Sequence, residues 1–123
     1  MKLQKLISKL EKHHKKKLDL SLGRTFNLLK KLGDPQDKLK NVITVVGTNA
    51  KASMCYSLKS ILNQGGYKTN LYTSPHLLSY TERYVFEDKE INEEDLIELL
   101  TDVEKTLADD NATLFEILTC AFL

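Results

Sequence analysis

The sequence predicts an α/β protein, a P-loop-type parallel sheet with flanking helices, on three observations. VITVV at residues 42–46 is a short β-branched apolar run ended by Gly47, as expected of a strand buried on both faces of a parallel sheet. From about Ala50 to Gln64 the apolar residues Met54, Leu58, Ile61 and Leu62 return to helical spacing, and Gly65-Gly66 closes the helix. Residues 67–73 then read as a second strand. Strand, loop, helix and strand in that order make one βαβ unit with a right-handed crossover, and the loop after its first strand is where such sheets bind ligands.

Upstream of this unit, Leu3, Leu6, Ile7 and Leu10 share one face of a first helix. Leu22, Phe26, Leu29 and Leu32 repeat the pattern in a second, stopped by Gly33 and Pro35. Downstream, ERYVFEDKEI at residues 82–91 suggests two extended pieces around Glu87-Asp88. Asn92 then offers an N-cap, with Asp95 three residues on, for a helix whose inward stripe is Leu96, Leu100, Val103 and Leu107. Asp109-Asp110-Asn111 interrupts it. Thr113 and Glu116 have capping-box spacing before a last apolar helix that reaches Leu123 with no glycine or polar tail, so the chain reads as cut there. Such an end is expected to expose Ile117, Phe122 and Leu123 and to favour self-association.

The chain has 123 residues, 41% of them hydrophobic and 28% charged, ordinary values for a globular domain. No apolar run approaches the ~20 residues that cross a bilayer, and the lysine-interrupted N-terminus is not a secretion signal, so a cytoplasmic protein is expected. Cys55 and Cys120 are too few for a disulfide framework or a four-cysteine zinc site. The net charge of +1 conceals a division, with twelve Lys or Arg against four acids in residues 1–40 and six against thirteen in residues 41–123. The basic end carries no Phe, Tyr or Trp before Phe26 on which a base could stack, and it reads as a solvated helical face. Neither nucleic acid nor membrane is expected as a partner.

The stretch VITVVGTNAKASM, residues 42–54, sits where a phosphate loop belongs. The first backbone amides of a helix lack internal partners and the helix dipole is positive there, so the junction attracts anions. Lys51 would add a mobile charge. Against the usual G-x-x-x-x-G-K-S/T pattern, Val45 replaces the first glycine, Ala50 the second, and Ala52 the hydroxyl. From these residues two readings stay open, a nucleotide loop and a helix start that contains a lysine.

A longer string carries more. VVGTNAKAS, then LKSILNQGGYKTNLYTSPHLLSYTERYVFEDKEI, preceded by LDLSLGRTFNLLKKLGDP and followed by ATLFEILTCAF, resembles the amino-terminal part of the folylpolyglutamate synthases and dihydrofolate synthases, relatives of the Mur ligases. That family carries V-x-G-T-N-G-K-G-S/T, a Gly-Tyr-Lys turn, Y-T/S-S-P-H-L, a nearby E-R, an upstream D-L-G-L-x-R and a downstream T-x-F-E. The resemblance covers residues from about 16 to the end and departs from the pattern at Ala50 and Ala52.

What the resemblance implies is the N-terminal portion of a Mur-ligase-like ATPase domain. Residues 1–40 would be a helical lead-in, 41–74 the βαβ P-loop unit and 75–123 a loop, hairpin and helices, with the C-terminal domain absent. The implied activity is an ATP-dependent ligase that joins the carboxylate of dihydropteroate or folate to glutamate through an acyl phosphate, with ATP and Mg2+ required and the fragment itself inactive. Gly47, Thr48, Asn49, Ala50, Lys51 and Ser53 would hold ATP, with Lys51 also acting on the transferring phosphoryl group. Ser74 would ligate magnesium, and Arg83 falls in the family's mobile loop. Leu18, Asp19 and Leu20, with Thr113, Leu114, Phe115 and Glu116, would border the pteroate. Ser74 read alone only shapes a turn, Asp19 only caps a helix and Glu116 only completes its box. Two other functions fit the loop: another P-loop phosphotransferase such as a kinase or GTPase, and a degenerate P-loop module without catalysis.

Overall fold

The computed structural model describes residues 2–14 and 21–123. They form two compact units, one from the described residues of Met1–Lys40 together with Glu93–Leu123, the other from Asn41–Asn92.

The first unit is helical: α1 (Lys2–Leu10), α2 (Gly23–Lys31), α4 (Glu93–Leu107) and α5 (Leu114–Phe122), with α3 (Lys51–Gln64) belonging to the second unit. The α4 stripe is as its spacing predicts, with Leu96, Leu100, Val103 and Leu107 all buried. Against it lie Leu3, Ile7 and Leu10 of α1 and Ile117, Leu118 and Cys120 of α5. Each fully buried Leu or Ile contributes roughly 1.5–3 kcal/mol, so this stripe is the main source of the unit's stability. α2 departs from expectation, because it buries Leu28 and Leu29 while Leu22 and Phe26 stand 66% and 59% exposed. Apolar spacing fixes which residues share a face; only a covering element decides which face is buried. α5 also differs: Ile117 is buried and Phe122 and Leu123 are half-buried, because the helix packs against α4, α2 and α1.

Both glycine stops behave as predicted. After α2, Gly33 takes φ 85° and the Asp34 amide donates to the Leu29 carbonyl at 2.9 Å. After α3, Gly66 takes φ 84° and the Tyr67 amide donates to the Leu62 carbonyl at 3.0 Å. Only glycine enters that left-handed region without a steric cost, and the long backward bond uses a carbonyl the helix would otherwise leave unpaired.

The second unit holds α3 (Lys51–Gln64) and three short strands, β1 (Asn70–Tyr72), β2 (Tyr84–Phe86) and β3 (Lys89–Glu90). They pair antiparallel in the order β1-β2-β3, with Leu71 opposite Val85 and Tyr72 opposite Tyr84. Glu87 and Asp88 turn the hairpin with φ 45° and 77°, the both-positive geometry that suits the twist of two flanking strands. Asp88 accepts hydrogen bonds from Lys59 and Asn63, which ties the turn to α3.

The α/β class stands, but the predicted strand at residues 42–46 does not form, and the sheet among the described residues is not parallel. Val42, Ile43 and Val46 are 66%, 61% and 84% exposed. A strand exists only through hydrogen bonds to a neighbour, and none of the described residues pairs with this run. β1 lies at an edge of the sheet formed by the described residues.

Candidate functional site

The loop before α3 is shaped by two unusual backbones. Gly47 takes φ 156°, open to glycine but strained for a residue with a side chain. Ala50, the residue just before the helix, takes φ 59° and ψ 16°, the left-handed conformation in which its methyl group costs about 1–2 kcal/mol. Ala52 lies inside α3, where alanine is the best residue. The two departures from the family pattern therefore have opposite local meanings.

No side chain caps α3. Its first amides, from Lys51 onward, are the groups an anion would meet. Thr48, Asn49 and Ala50 are exposed around them, and Ser53 is exposed one turn in. The Lys51 ammonium folds back over the loop, donating to the Gly47 carbonyl at 2.7 Å and the Thr48 carbonyl at 3.4 Å. This brings Gly47, Thr48, Asn49, Ala50, Lys51 and Ser53 together at one helix start.

Ser74 lies in the same unit, exposed, beyond β1 and at a cis peptide bond to Pro75. The segment after it is held by Glu82, whose carboxylate accepts the amides of Leu77, Leu78 and Ser79 at 2.7–2.8 Å. Those hydrogen bonds hold its pKa below the usual value. Arg83 Nε donates to His76 Nδ1 at 2.9 Å, and its guanidinium lies 5.2 Å from the Tyr80 ring centre. Burial, and then the Arg83 charge, lower the pKa of His76. Sequence reasoning assigned no structural role to Glu82, Tyr80 or His76. The capping-box spacing from Ser79 to Glu82 was the available signal.

Of the expected substrate segments, Leu18, Asp19 and Leu20 lie outside the described residues. The other opens α5, where Thr113 is the N-cap: its hydroxyl accepts from the Glu116 amide at 3.2 Å and its amide donates to Glu116 Oε2 at 2.7 Å. Leu114 is half-buried and Phe115 is 47% exposed. Glu116 is buried, and Arg24 of α2 grips it with Nη2 to Oε1 at 2.8 Å and Nε to Oε2 at 3.1 Å. Sequence reasoning met Arg24 only as the end of the D-L-G-L-x-R match and gave it no role. Burial alone would raise the Glu116 pKa, but the hydrogen bonds from Arg24 and the Thr113 amide outweigh it and leave the group below its usual value. Beside Arg24, an open polar cleft of about 330 Å³ is lined by His14, Asn27, Asp110 and Asn111.

No cluster of three or more His, Cys, Asp or Glu that could hold a metal ion occurs among the described residues. Magnesium needs no such cluster, since it commonly takes one or two protein oxygens and completes its shell with phosphate oxygens and water. An exposed Ser74 hydroxyl in the unit that carries the loop fits that pattern.

Comparison with known proteins gives a clear likeness. No family model matches the sequence. The dihydrofolate synthase/folylpolyglutamate synthase of Escherichia coli is 38% identical over 110 residues, which cover 89% of this chain and 26% of that protein. A solved structure of E. coli FolC in complex with DHPP and ADP superposes with TM-score 0.88 at 37% identity, covering 97% of this chain and 28% of the other. The bifunctional folylpolyglutamate synthase/dihydrofolate synthase of Yersinia pestis, complexed with AMPPNP and a Mn ion, gives TM-score 0.87 at 32% identity over 97% of this chain and 29% of that one. The fold is therefore α/β of the Mur-ligase-like kind. At this level of identity the relationship is closer than shared architecture, and the chain belongs to the folylpolyglutamate synthase/dihydrofolate synthase family. It spans about a quarter of the length of the E. coli relative it matches.

Proposed function

We propose that this chain supplies the ATP-binding part of an ATP-dependent ligase that joins the carboxylate of dihydropteroate or folate to the amino group of L-glutamate. The observation that carries this reading is the helix start at Lys51, with uncapped amides and a lysine folded over them, in a chain similar to proteins solved with ADP and with AMPPNP and Mn. Residues 41–74 form the nucleotide unit, with residues 1–40 as a helical lead-in.

In the reaction a carboxylate oxygen of the pteroate attacks the γ-phosphorus of ATP, ADP leaves, and an acyl phosphate forms. The glutamate amine then attacks the acyl carbon, and phosphate departs as the amide bond closes. The chemistry needs no protein nucleophile. Lys51, released from the Gly47 and Thr48 carbonyls, neutralises charge on the transferring phosphoryl group, while the amides after Ala50 and the Thr48 and Asn49 backbone surround the phosphates. Ser53 and Ser74 offer hydroxyls, Ser74 to magnesium, which would supply further charge neutralisation at the phosphates. Thr113, Leu114, Phe115 and Glu116, together with Leu18, Asp19 and Leu20, border the pteroate. The free thiols of Cys55 and Cys120 and the use of ATP support a cytoplasmic location. No helix among the described residues is long and apolar enough to cross a membrane.

The strained Ala50 favours one competing reading, a degenerate loop that has lost its nucleotide. Calorimetric titration of ATP-Mg into the chain and into Ala50→Gly separates the two. Binding by both supports the ligase; binding by neither supports the degenerate module.

A further inference from the structure

Within the helical unit, the contact between Arg24 and Glu116 joins two segments that lie 92 residues apart in sequence. Arg24 is the second residue of α2, four positions after Leu20, and Glu116 sits in the first turn of α5. Both carboxylate oxygens are committed: Oε1 accepts from Arg24 Nη2, and Oε2 accepts from Arg24 Nε and from the Thr113 amide. The two side chains are only 19% and 8% exposed. A planar guanidinium matches a carboxylate through two parallel bonds, which fixes orientation as well as distance, and a lysine cannot reproduce that fork.

We infer that Arg24 is a positioning residue for the pteroate-binding segment, and that Glu116 acts as its anchor and not as a direct ligand of the substrate. This rests on the ligase reading above. Glu116 is buried with both oxygens already hydrogen-bonded to Arg24, so its charge is matched inside the protein and does not need a ligand. The fork instead fixes the first turn of α5 against the start of α2, so that residues 113–116 and residues 21–24 keep one relative placement. The reacting carboxylate tolerates little misplacement of the groups that hold its substrate, and the fork belongs to the helical unit while the nucleotide loop belongs to the other, so the fork bears on pteroate affinity and not on nucleotide affinity.

The test uses Arg24→Gln, Arg24→Lys and Glu116→Gln in the chain, with dissociation constants measured separately for 7,8-dihydropteroate and ATP-Mg, and circular dichroism as a check on folding. The Arg24→Gln change is expected to weaken dihydropteroate binding about tenfold or more, the scale of a lost hydrogen bond to a charged group, and to leave ATP-Mg binding within about twofold. Arg24→Lys is expected to fold as the parent and fall between the two, since it keeps the charge and loses the fork. Glu116→Gln should follow Arg24→Lys. Unchanged dihydropteroate affinity in Arg24→Gln, or an equal loss for both ligands, overturns the inference. Should Arg24→Gln fail to fold, Arg24→Lys and Glu116→Gln decide on the same criterion. An unsubstituted chain that binds neither ligand defeats the ligase reading itself. One that binds ATP-Mg but no dihydropteroate defeats the inference alone.

Discussion

The Lys51 ammonium donates to the carbonyl of Gly47, four residues earlier, at 2.7 Å and so closes the loop before α3 on its own cation. A second, longer bond runs to the Thr48 carbonyl. These bonds are exposed, so water competes for both partners and their net contribution is small, whereas a polyphosphate offers the same ammonium several full negative charges. The lysine is thus held near the helix start by contacts weaker than those a polyphosphate would offer it.

Replacing Lys51 with methionine keeps the length of the side chain and removes the charge. Stability should change by less than about 1 kcal/mol, because the lost bonds are exposed, while ATP-Mg affinity should fall about tenfold or more. Calorimetry on Lys51→Met, beside a thermal melt, checks both halves; retained affinity would remove Lys51 from the site.

The two alanines in the loop should respond oppositely to glycine. Ala50→Gly relieves the left-handed strain at φ 59° at the expense of unfolded-chain entropy, for a net gain of about 0.5–1 kcal/mol, and should tighten ATP-Mg binding. Ala52→Gly puts glycine inside α3 and should lower stability by about 0.5–1 kcal/mol. Urea midpoints measure both. A loss of stability on Ala50→Gly would mean that the loop is not strained at that position.

Much of this architecture could be read in the residues, and the misses share one cause. The α4 stripe, the stops at Gly33 and Gly66 and the Thr113–Glu116 box are local, set by residues within a turn or two of one another. The Arg24–Glu116 fork joins positions 92 apart, and nothing in the spacing around either residue signals the other. Residues 42–46 and the Leu22–Phe26 face were misjudged for a related reason: apolar pattern reports a readiness to be covered, and the cover must come from elsewhere.

Acid should loosen the helical unit. Glu116 and Glu104 both have pKa values below the usual 4.5, burial being outweighed in Glu116 by Arg24 and Thr113 and in Glu104 by Lys9 and His13. A carboxyl whose folded pKa is lowered contributes stability that is complete above its unfolded value and is lost as pH falls through the folded one. Stability should therefore fall from about pH 4.5 downward, more steeply in the parent chain than in Glu116→Gln. Urea midpoints at a series of pH values measure the difference, and parallel curves would show that the Arg24 pair carries no such linkage.

His76 offers a second titration in a higher window. Its Nδ1 accepts the Arg83 Nε hydrogen, which requires that nitrogen to be unprotonated, and burial followed by the Arg83 charge lowers its pKa from 6.5. The neutral form is favoured in the folded chain, so this contact contributes fully above the unfolded value and is lost as pH falls through the lowered folded one. Imidazole proton shifts in NMR should place the His76 midpoint below 6.5, and Arg83→Ala should move it upward. A midpoint above 6.5 would show that Arg83 does not face the ring in solution.

Burial in the helical unit makes the sharpest contrast among equal-looking leucines. Leu100 is fully enclosed at 0% exposure, whereas Leu22, in the apolar pattern of α2, is 66% exposed. Truncating a buried leucine loses its transfer free energy and leaves a cavity, so Leu100→Ala should cost about 2–5 kcal/mol. Leu22→Ala removes surface already in water and should change stability by less than about 0.5 kcal/mol. Chemical denaturation of the two variants in parallel gives the difference directly. A cost above about 2 kcal/mol for Leu22→Ala would show that this face of α2 is covered in solution, and would restore the inward face that the spacing of Leu22, Phe26 and Leu29 predicts.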